Sequence, residues 1–168
     1  MEKKNKKSII KEILSYVIII LIVLLVKMYI VSPIRVNGSS MYKTLHDQDV
    51  MILNEFIYYF NDVERFDIVV IDEDDQYIIK RVYGLPGEKI KCVGGNIYIN
   101  NKKIKDKYAS SKTEDFDEVV IGKNEYFVLG DNREVSLDSR MFGTYSKKDI
   151  IGKASFTVFP FSRFGSKA

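Results

Sequence analysis

The sequence predicts a mostly β, antiparallel domain behind one membrane-crossing helix, and three observations carry that prediction. Tyr and Phe account for 21 of the 168 residues with no Trp, and Val and Ile are plentiful, a mix that favours strands. Beyond residue 31, short apolar runs follow one another with turn signals between them and no long helical pattern. Ahead of them, residues 13–31 (ILSYVIIILIVLLVKMYIV) hold a single charge, Lys27.

As a helix that opening run would be about 28 Å long, close to the thickness of a bilayer's hydrocarbon. Lys27 can extend its amine outward, and Tyr29 suits the interface. A core helix apolar on every face does not fit so small a domain. The exit, YIVSPIRV, offers no small-residue cleavage site, so the segment reads as a retained anchor. The lysines before it place residues 1–12 in the cytoplasm and residues 32–168 on the outer face of a cell membrane, with a single pass between. Pro33 disfavours helical geometry at Ser32 and ends the span. The first 31 residues carry a charge of +4, whereas the remaining 137 hold 20 basic and 21 acidic side chains. The positive charge is a tail and not a patch, which argues against a nucleic-acid partner.

Strands are predicted at residues 49–54, 66–72, 77–84, 88–93, 96–100, 125–131 and 150–159. Gly94-Gly95, Asn100-Asn101 and Pro86-Gly87 supply turns between them. The hairpin GGNIYINNKKI, with a charged and mobile stretch at 102–118, forms a small accessory lobe over about residues 86–122. The acidic run DEDD (72–75) reads as a solvated hairpin tip. IYYF (57–60) and FPFSRF (159–164) are either ordinary core strands or segments that touch the bilayer. Cys92 is the only cysteine, which excludes an intrachain disulfide, a CxxC pair and a cysteine-rich zinc site, and it reads as a small buried hydrophobe. No metal or cofactor is expected, and a monomer is.

Chemistry is suggested by VNGSSMYKTL (36–45), where two serines sit between a glycine and a methionine. A serine nucleophile needs a base, and two residues are candidates. His46, the single histidine, lies six residues after Ser40 in a polar turn. Lys80 interrupts the apolar YIIKRVYGL, where alternation puts it on one face with Ile78 and Val82 and puts Arg81 on the other. A lysine on an apolar face is costly unless neutral or paired, and a neutral amine can activate a serine. A third stretch, VLGDNREVSLDSRMFG (128–143), is dense in short polar residues with two acid and arginine pairs. Composition leaves open whether it is a solvated excursion or a scaffold clamping a site.

Together SSMYKTL, KRVYGLPGE, GDNREVSLDSRMFG and the closing IIGKA resemble, in this order, the bacterial type I signal peptidases, membrane-anchored Ser/Lys proteases of the S26 kind. The resemblance spans roughly residues 32–154 and implies an antiparallel β catalytic domain with a small variable lobe. It implies Ser40 as nucleophile and Lys80 as general base, with Ser136 orienting the lysine amine by a hydrogen bond. Asp131, Arg81, Asp138 and Arg140 match charged residues that brace the site. Gly38 stands where some members have an oxyanion-assisting serine, which implies a hole made of backbone N–H groups, that of Ser40 included. The substrates implied are preproteins bearing signal peptides, cut after small residues of the Ala-x-Ala type, and the lipid bilayer is the other partner. A narrower processing peptidase, acting for example on pilins, and an inactive homologue serving as a binding module are the alternatives. Lys43 and Val135 depart from the family's pattern, which expects proline and asparagine there.

Overall fold

The computed structural model describes residues 6–29, 32–73 and 76–167, with side chains outside the description at 6–8, 24–29 and 155. Helix α1 (Lys6–Tyr29) starts seven residues before the apolar run, because Lys, Glu, Ile and Ser give nothing between residues 6 and 12 that would stop it. Ser15 Oγ donates back to Lys11 O (2.9 Å) within it. Successive residues Ile18, Ile19, Ile20 and Leu21 point to all sides of α1, and each is about half exposed. The protein therefore covers no face of this stretch. Among the described residues no helix is long and apolar enough to cross a membrane. The expected interfacial side chains Lys27 and Tyr29, and the end of the span at residue 31, lie outside the described residues.

After the helix comes one antiparallel sheet in the order β1 (Ser32–Arg35), β2 (Val50–Asn54), β11 (Ile150–Phe159), β3 (Ile68–Glu73), β4 (Gln76–Gly84), β9 (Glu125–Leu129) and β10 (Tyr145–Ser146). Strand β12 (Gly165–Ser166) pairs with β11, making eight strands. A second, four-stranded sheet runs β7 (Lys102–Lys103), β6 (Asn96–Ile99), β5 (Lys89–Val93) and β8 (Phe116–Val120). Pro33 lies in β1, at the sheet's edge, where a missing N–H costs no ladder bond. The turn signals act as expected: Gly94-Gly95 and Asn100-Asn101 all have positive φ, as the tightest hairpins need. Glu73 pairs with Gln76 across the β3–β4 hairpin, and Asp74 and Asp75 of the acidic run lie outside the described residues.

Three expectations are corrected here. IYYF is not a strand but a single helical turn, α2 (Ile57–Phe60), with no buried residue. FPFSRF leaves the sheet at Phe159 and continues as a 3-10 turn, with Phe161 80 % exposed. The stretch at 102–118 is not a loose excursion. It contributes β7 and the start of β8, and it packs on the main sheet through Phe116, stacked on Phe127 with centroids 5.3 Å apart. Its lobe shares one core with the main sheet, since Ile90, buried Cys92, Ile97 and Ile121 cluster with Tyr83, Phe127 and Leu129.

Candidate active site

The loop between β1 and β2 presents Ser40. Val36, Met41 and Leu45 are buried in one cluster beneath it, so the apolar positions of VNGSSMYKTL anchor the loop while its serines stay above. Gly38 adopts φ +90°, a conformation side chains resist, and donates its N–H to Asp47 Oδ1 (2.8 Å). Tyr42 N donates to Ser39 O (3.1 Å), and the Ser40 N–H is left out of these turn bonds. The loop is tied down from across the site, where Asn132 N donates to Ser40 O (2.9 Å) and Asn132 Nδ2 to Ser39 O (3.1 Å).

Strand β4 brings Lys80 to the same point. Lys80 is 5 % exposed and its Nζ lies 3.0 Å from Ser40 Oγ. Burial pushes its amine below the usual lysine range; Asp138 and Glu73 pull it back up, and Arg140 adds to the lowering. The carboxylate with most influence, Asp138, is itself spent on Arg140, whose Nε (2.8 Å) and Nη2 (3.0 Å) both reach it. Burial thus outweighs the carboxylates and shifts the balance toward the neutral amine.

The neighbouring Arg81 points away from the amine and closes a buried ion pair with Asp131, through Nε (2.9 Å) and Nη2 (2.7 Å). Both side chains are fully buried. Arg81 also donates to Phe66 O (2.9 Å), and Asp131 accepts from Thr44 Oγ1 in the nucleophile loop. Asp138 caps α3 (Ser139–Phe142) and accepts from Gly130 N (3.0 Å), while Arg140 Nη2 donates to Arg133 O (2.8 Å) and Ser136 O (3.1 Å). The third block is therefore a clamped scaffold and not a solvated excursion.

The expected hydrogen bond from Ser136 to the Lys80 amine is not formed. Ser136 Oγ is buried without a hydrogen-bond partner among the described residues, and it packs so closely on Gly130 that a Cβ there would fall 2.2 Å from it and 2.5 Å from Ser40 O. His46 stands apart: its ring makes an edge contact with Tyr42 (5.0 Å), and the only hydrogen-bond partner of Ser40 Oγ among the described residues is Lys80. Lys43 and Val135 are exposed. Among the described residues no group of three His, Cys, Asp or Glu side chains could hold a metal. Reading by residue type missed Asn132 and Thr44, and it counted Arg133 only as a member of an acid and arginine pair. Asn132 had a signal, an amide between the two charged members of GDNR, and Thr44 had none.

A serine hydroxyl against a buried amine, on an antiparallel β scaffold, is the arrangement of a serine hydrolase that uses a lysine base. The comparisons place it further. The profile of the family described as "Signal peptidase, peptidase S26" matches residues 9–159. The "Signal peptidase I S" of Bacillus subtilis (strain 168) is 37% identical, over 94% of this chain and 93% of its own. The "Signal peptidase IB" of Staphylococcus aureus (strain COL) is 35% identical, over 95% and 94%. A crystal structure of a signal peptidase I from Enterococcus faecalis V583 superposes with a TM-score of 0.51 at 30% identity, covering 55% of this chain and 97% of that one. The chain belongs to the signal peptidase family, peptidase S26, as a serine peptidase of the signal peptidase I type.

Proposed function

We propose that this protein releases exported preproteins from their signal peptides, cutting after small residues, with Ser40 as nucleophile and neutral Lys80 as general base. The 3.0 Å contact between Ser40 Oγ and the buried Lys80 Nζ carries this reading. Ser40 Oγ attacks the scissile carbonyl carbon while its proton passes to Lys80 Nζ. The Ser40 N–H has no acceptor among the described residues and can donate to the oxyanion, whereas that of Gly38 is held by Asp47. Lys80 then returns its proton to the leaving amine, and the mature chain departs. A water, deprotonated by Lys80, hydrolyses the ester left on Ser40. In this scheme Asp131, Arg81, Asp138 and Arg140 hold the two loops in register, and Ser136 fills the space behind the pair. Incubation with a precursor carrying an Ala-x-Ala site tests the assignment. The released chain is expected to begin directly after the second Ala, with no product when that residue is Leu and none from Ser40→Ala.

The same reading puts residues 1–12 inside, 13–31 in the bilayer and 32–168 outside, the lobe at about 86–122 included. The uncovered apolar side chains of α1 support it, because they need an apolar solvent that the protein does not supply. Three residue steps, at most about 11 Å, separate Tyr29 from Ser32, so the anchored end of the sheet is the Ser32 end. Register puts Leu53 opposite Ser32, and α2 with its exposed Tyr59 and Phe60 follows a few residues later. Phe159 pairs with Val50 at the other end of β2. Of the two aromatic segments, IYYF is the one beside the emerging anchor. Buried Cys92 gives little background for thiol labelling. An impermeant maleimide should label Lys123→Cys in intact cells, and Asn5→Cys only after permeabilisation; the reverse pattern overturns the topology.

A further inference from the structure

Residues 106–113 leave the small lobe and are anchored on the third block and on Arg81 and Tyr83 of β4, with further contacts to Phe66 and Cys92. The Tyr108 ring lies under the Arg81 guanidinium, 3.6 Å from its carbon. Ser110 N donates to Asp131 O (2.8 Å). At the start of the segment, Asp106 organises its own turn by accepting from Tyr108 N and Ala109 N (3.2 Å each), and it accepts from Tyr83 OH (2.6 Å). Its second carboxylate oxygen faces Arg133 Nη1 at 2.8 Å, a charge contact without the alignment of a hydrogen bond. Arg133 is 3 % exposed; its Nε donates to Gly130 O (2.8 Å) and its Nη1 to Thr113 Oγ1. Gly130 is the residue wedged against Ser40 O and Ser136 Oγ.

A chain of contacts thus runs from Asp106 through Arg133 to Gly130 and ends on the backbone of the nucleophile. Burial pushes the Asp106 carboxyl up, but Arg133 and Tyr83 OH together hold it below the usual carboxylate range. Its charge is therefore present whenever Lys80 is in use. Without that charge the hydrogen bonds left to the buried Arg133 side chain, to Gly130 O and Thr113 Oγ1, go to neutral oxygens, and a buried cation left so tends to move toward water.

We propose that Asp106 is a positioning residue for the Ser40 and Lys80 pair: it locks the 106–113 segment onto Arg133 and so fixes the Gly130 backbone against which the nucleophile loop rests. The proposal builds on the Ser/Lys reading above. An error of about 1 Å in the placement of reacting groups costs on the order of 100-fold in rate, so a displaced Gly130 appears in turnover before it appears in substrate binding. The test measures kcat and KM per folded molecule for the full-length protein in detergent, on an Ala-x-Ala precursor peptide. Asp106→Asn keeps an oxygen for the turn but loses the charge on Arg133. It should lower kcat about 10- to 100-fold with KM within about 3-fold of wild type. Ile97→Val trims the lobe's core without touching the chain of contacts and serves as the stability control, with a lowered Tm and wild-type kcat. If Asp106→Asn does not fold, Thr113→Val, which removes the hydroxyl that accepts from Arg133 Nη1, should show the same split at smaller size. Wild-type kcat in the folded Asp106→Asn, or in Thr113→Val where that variant stands in, overturns the proposal. So does an equal loss of kcat in Ile97→Val. An inactive wild-type protein would instead count against the Ser/Lys reading itself.

Discussion

Lys80→Ala and Lys80→Arg are each expected to lower kcat by at least about 1,000-fold, as Ser40→Ala does, with the fold intact. The arginine variant separates base from mere charge, because a guanidinium keeps its proton at any working pH and cannot accept the one on Ser40. His46→Ala should stay within a few-fold of wild type, since its ring packs on Tyr42 and does not reach Ser40. The losses should not add: once either partner is gone, removal of the other costs almost nothing further. Lys80→Met should also stabilise the protein at neutral pH. Folding lowers the amine's pKa, so the unfolded chain binds more protons in the window between the folded value and about 10.4. Stability then rises with pH across that window, and below it the buried lysine carries its full cost. Thermal unfolding of Lys80→Met against wild type at pH 7 checks the sign, and a lower Tm for the variant would contradict it.

The second large effect is on stability. Asp131→Ala leaves the Arg81 cation buried without its partner, and the expected loss is about 3–5 kcal/mol. For a chain of this size that corresponds to a Tm lowered by roughly 6 to 20 °C. The double variant Arg81→Met with Asp131→Leu should recover most of that stability, because two apolar side chains in a sealed site need no counter-charge. It should not recover turnover. Thr44 in the nucleophile loop donates to Asp131, and a leucine cannot accept from it. Wild-type kcat in the double variant would show that the ion pair serves the fold alone.

What was legible in the sequence follows from how local the cause is. Hairpin turns at Gly94-Gly95 and Asn100-Asn101 are set by two residues that tolerate positive φ, and both were readable in advance. Lys80 was readable as an anomaly, a cation in an apolar alternating strand, although alternation alone could not choose between it and His46. The order of four blocks made that choice by resemblance. The stretch at 102–118 misled because its lysines and aspartates resemble solvated loop, while its ordering comes from partners far along the chain: Asp106 with Arg133, Tyr108 with Arg81 and Phe116 with Phe127. IYYF misled for the opposite reason, since its four apolar residues suit either a strand or one helical turn. Length decides such cases, and four residues are too few. The unpaired hydroxyl of Ser136 was invisible to both residue type and resemblance, since it depends on how the loop packs around Gly130.

The pH dependence of kcat/KM reports the ionisation of the free enzyme's base, and it tests the pairing of Ser40 with a neutral lysine most directly. Because burial lowers the Lys80 amine, the rate on an Ala-x-Ala peptide should rise with pH through a midpoint below the ordinary lysine value of about 10.4. His46→Ala should leave that midpoint where it is. A midpoint near 6.5 that disappears in His46→Ala would give the proton to histidine and contradict the account.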